Sequence, residues 1–393
     1  MKMNLNSHTH LERVNWDFED YSSRLFKLDI NGIHWYPASF IPQIPDILIQ
    51  NLSEEGDIVL DPFAGSGVTL IEAAKLGRRF IGTDINPFAV GIARAKFQAI
   101  SKATVNWRDS ICHEISKSDI EQRIEDYCQK KGISSEVFRW YERETLIELA
   151  CIHKVIMNSK SDCPQLEKVL FSSILNKACS QKRHYTYITD SCYPKNLEYK
   201  PAKKLFLEQV DLAKRCSDFF DEQYYRRHSK KYSYDGTIEC ADARYLDFIT
   251  PGSVDVIVTS PPYLGSHDYM KSMRLTNLFF PESKFKEFIE DEIGARCKRH
   301  KRTAYEEYLE DMRKACKEFN RVLKPGGLIG MTLGKGVGKV IKADIVQQIL
   351  DFLTGNLQFT ILYRTTRKIS SRRIRFPGVP FEYIIVLQKA KQK

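Results

Sequence analysis

Residues 57–84 constrain the fold more than any other stretch of this 393-residue chain. Asp57-Ile58-Val59-Leu60-Asp61 reads as a short buried strand and Pro62-Phe63-Ala64-Gly65-Ser66-Gly67 as a turn. Thr69 to Leu76 is breaker-poor helix material, and Arg79 to Asp84 is a second strand. Strand, helix and strand in so short a span make a parallel crossover unit. A second helix is expected over 87–100, after which residues 103–235 break the alternation.

The turn carries chemistry as well as topology. Gly65 and Gly67 let the backbone approach a ligand with no Cβ in the way. Asp84 lies 17 positions after Gly67, and an acid about 20 residues past a glycine turn is placed to grip ribose hydroxyls. The turn lacks both the GxGxxG spacing of dinucleotide sites and the Gly-Lys-Ser/Thr of a phosphate loop. A nucleoside cofactor without phosphates fits it better, with S-adenosylmethionine the leading candidate.

A second signal lies in the other half of the chain. Val254 to Thr259 is a β-branched run that reads as a buried strand, and Ser260-Pro261-Pro262-Tyr263 follows it. Two prolines cannot continue a ladder, so the chain must leave the sheet there as a rigid turn. Such a turn offers the Ser260 hydroxyl, the Pro261 carbonyl and the Tyr263 ring at a strand's carboxyl end. That set suits an amino group on a planar ring: two acceptors for the amine and one face for stacking.

Together these residues resemble the amino-methyltransferases of restriction–modification systems, and among them the cytosine-N4 DNA type. Asp61-Pro62-Phe63-Ala64-Gly65-Ser66-Gly67 is similar to that family's cofactor loop and Ser260-Pro261-Pro262-Tyr263 to its catalytic motif. Ser260 at the first motif position favours cytosine; the adenine-N6 type more often has Asp or Asn there. The resemblance covers 31–102 and 236–389. It implies a Rossmann-like α/β methyltransferase sheet, with 31–102 and 236–393 as the catalytic domain and a mainly helical insertion over 103–235. It also implies Ser260, Pro261, Pro262 and Tyr263 as the catalytic set acting on a flipped base. Asp61, Phe63, Gly65, Gly67, Asp84, Asp242, Tyr36 and Pro37 would hold the cofactor, Asp61 at the methionine ammonium and Asp242 near the adenine amine.

Composition and charge narrow the partners. A 42% hydrophobic content supports a sizeable core, and no apolar run approaches the length of a membrane span. With no signal-like N-terminus, a cytoplasmic protein is expected. Ten cysteines occur singly, without a CxxC pair, so no metal site is expected. No Pro-Cys dipeptide exists, which argues against a cysteine nucleophile for ring-carbon methylation.

The net charge of +10 gathers at 226–231, 296–302 and 364–375. Clustered cations with aromatic neighbours fit a polyanion. Arg299, Arg302, Arg372, Arg373 and Arg375 are therefore expected at the phosphates of double-stranded DNA. The insertion, with 281–304, is expected to choose the sequence, although a lid or dimerisation role is the plainer alternative. RNA stays open as a substrate, as does a non-enzymatic nucleic-acid-binding role. A restriction endonuclease acting with this chain would be a separate polypeptide.

Helices are further expected over 136–157, 164–179, 201–223 and 305–323, the last stopped by Lys324-Pro325-Gly326-Gly327. Strands are expected at 237–242, 328–333, 359–365 and 382–388.

Overall fold

The computed structural model describes residues 10–18, 28–101, 120, 123–181, 193–337, 344–369 and 381–391. Helix α1 (Gln43–Leu52) leads into β1 (Ile58–Asp61), α2 (Val68–Lys75), β2 (Arg79–Asp84) and α3 (Pro87–Ser101). The insertion contributes α4 (Ile124–Lys130), α5 (Arg143–Asn158), α6 (Pro164–Ala178) and α7 (Ala202–His228). Then come β3 (Gly236–Cys240), β4 (Val254–Thr259), α8 (Tyr269–Ser272), α9 (Arg274–Phe279), α10 (Phe285–Asp291) and α11 (Ala304–Val322). The chain closes with β5 (Leu323–Gly334), α12 (Ile345–Asp351), β6 (Thr360–Lys368) and β7 (Phe381–Gln388).

All seven strands form one sheet in the order β3-β2-β1-β4-β5-β7-β6. The first five are parallel, and β7 runs antiparallel to both β5 and β6. The chain moves outward from β1 to β3 and then returns to lay β4 on the other side of β1. That reversal is where an open α/β sheet forms a ligand crevice beyond its carboxyl ends.

Strand β4 shows why the sequence reads as a continuous apolar run. Val256 and Val258 pack into one buried cluster, Val254 and Ile257 into the other. A strand buried on both faces has no polar alternation to display. Helix α11 covers one face through Tyr305, Tyr308, Leu309, Met312, Cys316 and Phe319, an i, i+3, i+4 stripe.

The insertion is helical, as the sequence suggests, but it builds no core of its own. Phe171, Leu175, Phe206 and Phe220 share one buried cluster with Ala93 and Phe97 of α3. Leu166 N donates to Gln98 Oε1 at 2.9 Å, Ser217 Oγ to the Ala99 carbonyl at 2.8 Å, and Gln209 Nε2 to the Ile33 carbonyl at 2.6 Å. The expected 136–157 helix is divided: Ser135–Arg139 forms a 3-10 turn and α5 starts afresh at Arg143, capped by Glu142. Lys324 to Gly327 stops the helix but lies within β5, at a register irregularity against β4. Among the described residues, no helix is long and apolar enough to cross a membrane.

Candidate active site

A cleft enclosing about 840 Å³ opens beyond the carboxyl ends of β1, β2 and β4. Its floor is the turn after β1. Gly65 has φ 50° and Gly67 has φ 81°, both in the left-handed region. The two glycines do different things. Gly65 lines the cleft, whereas Gly67 does not; a Cβ there would lie 2.8 Å from Ala93 Cβ, so Gly67 lets α2 seat against α3.

Asp84 holds this turn from below. Its Oδ2 accepts from Gly65 N at 2.9 Å and its Oδ1 from Asn86 N at 2.8 Å. Asp61, 2% exposed, accepts from Phe63 N at 3.0 Å and from Thr259 Oγ1 at 2.6 Å. Thr259 directly precedes Ser260, so this bond ties the glycine turn to the serine-proline turn. Burial pushes both carboxyls up to about 6, against the hydrogen bonds they accept.

Tyr36 and Pro37 line the opposite wall, and Tyr36 stacks on Tyr269 with ring centroids 6.1 Å apart. Asn86 donates to the Tyr36 hydroxyl at 3.1 Å. Phe63 lines the cleft and also packs edge-on against Phe319. Asp242 reaches the cleft, but not from a strand end: β3 stops at Cys240. Both Asp242 oxygens are held by the Arg244 guanidinium at 2.6–3.0 Å, which leaves the carboxylate less free for an adenine amine than the sequence suggests.

Ser260 and Pro262 line the same cleft; Pro261 and Tyr263 do not. The Tyr263 ring packs on Gly334, where a Cβ would lie 2.5 Å away, and its hydroxyl is anchored behind the turn. It donates to Glu382 Oε2 at 2.6 Å and meets Thr332 Oγ1 at 3.3 Å, and Thr332 in turn donates to Ser260 Oγ at 2.9 Å. Glu382 is paired with Arg367 at 2.6 Å. A hydroxyl chain thus runs from Ser260 to a buried ion pair on the β6–β7 hairpin. Thr332, Glu382 and Arg367 carry no motif, and only the register of β5 against β7 brings them to the serine.

The basic residues fall outside this crevice. Arg299 is half-buried and Arg302 exposed in the segment before α11. Arg372, Arg373 and Arg375 lie outside the described residues. Among the described residues no Lys, Arg or His lines the cleft, which instead presents Asp61, Asp84, Asp242, Asp291 and Glu292. An acidic, phosphate-averse cleft over an open glycine turn accepts a cationic nucleoside, which is the character of S-adenosylmethionine.

Fold and cleft define an S-adenosylmethionine-dependent methyltransferase with a Rossmann-like sheet. The family model described as DNA methylase matches residues 2–95 and 254–393, more than half of the chain. The chain belongs to that family, and S-adenosylmethionine is its cofactor.

Among similar proteins is the type II methyltransferase M.MjaII of Methanocaldococcus jannaschii, 22% identical over 90% of this chain and 81% of its own. M.MvaI of Kocuria varians is 26% identical over 58% of this chain and 52% of its own. M.BsoBI of Geobacillus stearothermophilus is 26% identical over 63% and 53%. The chain therefore spans about half the length of the latter two. The solved structure of the rRNA methyltransferase AviRa of Streptomyces viridochromogenes covers 94% of each chain at 13% identity and a TM-score of 0.37, a likeness too slight to bear on substrate.

Proposed function

We propose that this chain methylates the exocyclic N4 amine of cytosine in double-stranded DNA, as the modification enzyme of a type II restriction–modification system. One observation carries the reading: the Ser260 hydroxyl and the Asp61–Asp84 turn face a single cleft. An amine bonded to Ser260 and a methyl donor seated over Gly65 would share that space.

S-adenosylmethionine supplies an electrophilic methyl on a sulfonium. The residues do the rest. An exocyclic amine is conjugated with its ring and is a poor nucleophile. Ser260 Oγ, accepting one of its hydrogens, favours the pyramidal nitrogen and the positive charge that develops as it attacks. Thr332, bonded to Ser260, fixes the direction of the serine lone pairs. The Tyr263 hydroxyl is committed to Glu382 and its ring packs on Gly334, so it braces the turn that carries Ser260 from outside the cleft. Asp61, Asp84, Phe63, Gly65, Tyr36 and Pro37 hold the cofactor. Among the described residues no cysteine lines the cleft, which supports attack by an amine over covalent catalysis at a ring carbon.

The base must leave the duplex to reach this depth. Arg299 and Arg302, with the 103–235 insertion, are proposed to grip the DNA, in the cytoplasm where the duplex is available. A cognate endonuclease would be another polypeptide. Nucleoside mass spectrometry of DNA treated with the protein and S-adenosylmethionine tests the reading. N4-methylcytosine is expected from the wild type and not from Ser260→Ala. N6-methyladenine would overturn the base assignment, and modification of RNA alone would overturn the substrate.

A further inference from the structure

Glu292 was no part of the site that the sequence suggests, yet it lines the cleft at 3% exposure. It sits immediately after α10, in the 281–304 segment that the basic residues associate with DNA. Its Oε1 accepts from Met270 N at 2.6 Å. Its Oε2 is shielded from solvent and has no hydrogen-bond partner among the described residues. Burial, helped by nearby Asp268 and Asp84, pushes the carboxyl up to about 8.

A buried carboxylate oxygen without a donor is uncommon and calls for a reason. Fold maintenance is not enough, because the Met270 bond uses only Oε1. The contrast with Asp242 is informative. Asp242, which the sequence placed at the cofactor, has its donors from Arg244; Glu292 belongs to the same lining and its Oε2 has no donor among the described residues. Among the described lining residues no basic side chain is at hand to supply one, which leaves that role to a bound molecule.

We propose that Glu292 is a cofactor-binding residue whose Oε2 accepts an O–H or N–H from the nucleoside half of S-adenosylmethionine. Asp84 lies near enough to influence Glu292 electrostatically, which sets the two acids about the same part of the ligand. The proposal rests on the S-adenosylmethionine reading and adds a second wall to the pocket, drawn from the catalytic half of the chain. One acid under the glycine turn and one on the segment above it would hold the nucleoside between them.

The test is calorimetric titration of the full-length protein with S-adenosylhomocysteine, which keeps the nucleoside and needs no turnover. Glu292→Gln retains an oxygen for Met270 N, so its ligand-free melting temperature should match the wild type. Its affinity should fall about tenfold or more, because an amide N–H replaces the acceptor oxygen Oε2. Glu292→Asp, which keeps a carboxyl but shortens the reach, should also bind more weakly, and it serves if the glutamine variant is unstable. Both variants binding like the wild type would overturn the role of Glu292 and leave the cofactor reading intact. A wild-type protein that binds neither S-adenosylhomocysteine nor S-adenosylmethionine would overturn both.

Discussion

Glu382→Gln should damage the catalytic turn from behind without touching the cleft. Glu382 is 8% exposed and Arg367 is 4% exposed, so both charges lie in a poorly hydrated layer. Arg367 Nε donates to Glu382 Oε1 at 2.6 Å, and Tyr263 donates to Oε2 at the same distance. Removing the charge of one partner in a buried pair strands the other, at about 3–5 kcal/mol when the partner group is deleted. Glutamine keeps one acceptor oxygen, so a loss of about 2–3 kcal/mol is expected here. Arg367 also donates to the Trp16 carbonyl at 3.3 Å, so the loss should loosen the N-terminal segment against β6. The glutamine amide must then present either an N–H or an oxygen to Tyr263. If it presents the N–H, the tyrosine hydroxyl turns toward Thr332 and the Ser260 bond is redirected. The assay pairs urea denaturation with single-turnover methylation. A stability loss together with a fall in the chemical rate and little change in S-adenosylmethionine affinity is expected. Undiminished stability and rate would refute the claim that this ion pair sets the geometry of Ser260.

Three further outcomes follow from the geometry. Asp61, raised from an ordinary 3.8 to about 6 by burial, binds its proton more tightly folded than unfolded. Its contribution is therefore fully present below about pH 4 and is lost as pH rises through 6, by about 3 kcal/mol for a two-unit shift. A cationic ligand offsets that loss, so the thermal shift given by S-adenosylmethionine should be larger at pH 7.5 than at pH 5, and equal shifts would count against it. Gly67→Ala forces a left-handed φ on alanine and drives its Cβ toward Ala93, so urea denaturation should show a loss of about 2–3 kcal/mol. Arg302→Ala should lower the salt slope of DNA binding by about one, measured by fluorescence anisotropy, and an unchanged slope would place Arg302 away from phosphate.

What the sequence made legible was whatever is local. The glycine turn, Asp84 and the serine-proline turn each sit in a few consecutive residues whose chemistry dictates their backbone. Strand β4 was readable because burial on both faces leaves a run of Val and Ile. The parallel pairing of β1 and β2 also followed from the alternation of strand and helix. Roles that depend on register were not readable. Gly65 and Gly67 read alike in the sequence, and only the packing of α3 shows that Gly67 abuts Ala93 while Gly65 lines the cleft. Asp242 looked like a free acid because Arg244, two residues on, gives no sign in one dimension that it folds back as a clamp.

The hydroxyl chain makes the same point about function. Ser260 is placed by Thr332 from β5, and Tyr263 by Glu382 from β7, strands that neighbour one another only after the hairpin turns back into the sheet. A motif search finds the residues that touch substrate because their spacing is fixed by the backbone. It misses the residues that aim them, because a register, unlike a motif, is free to supply the same hydrogen bond from any polar side chain that reaches. The serine-proline turn was therefore legible, while the support that makes the Ser260 hydroxyl directional had to come from the sheet.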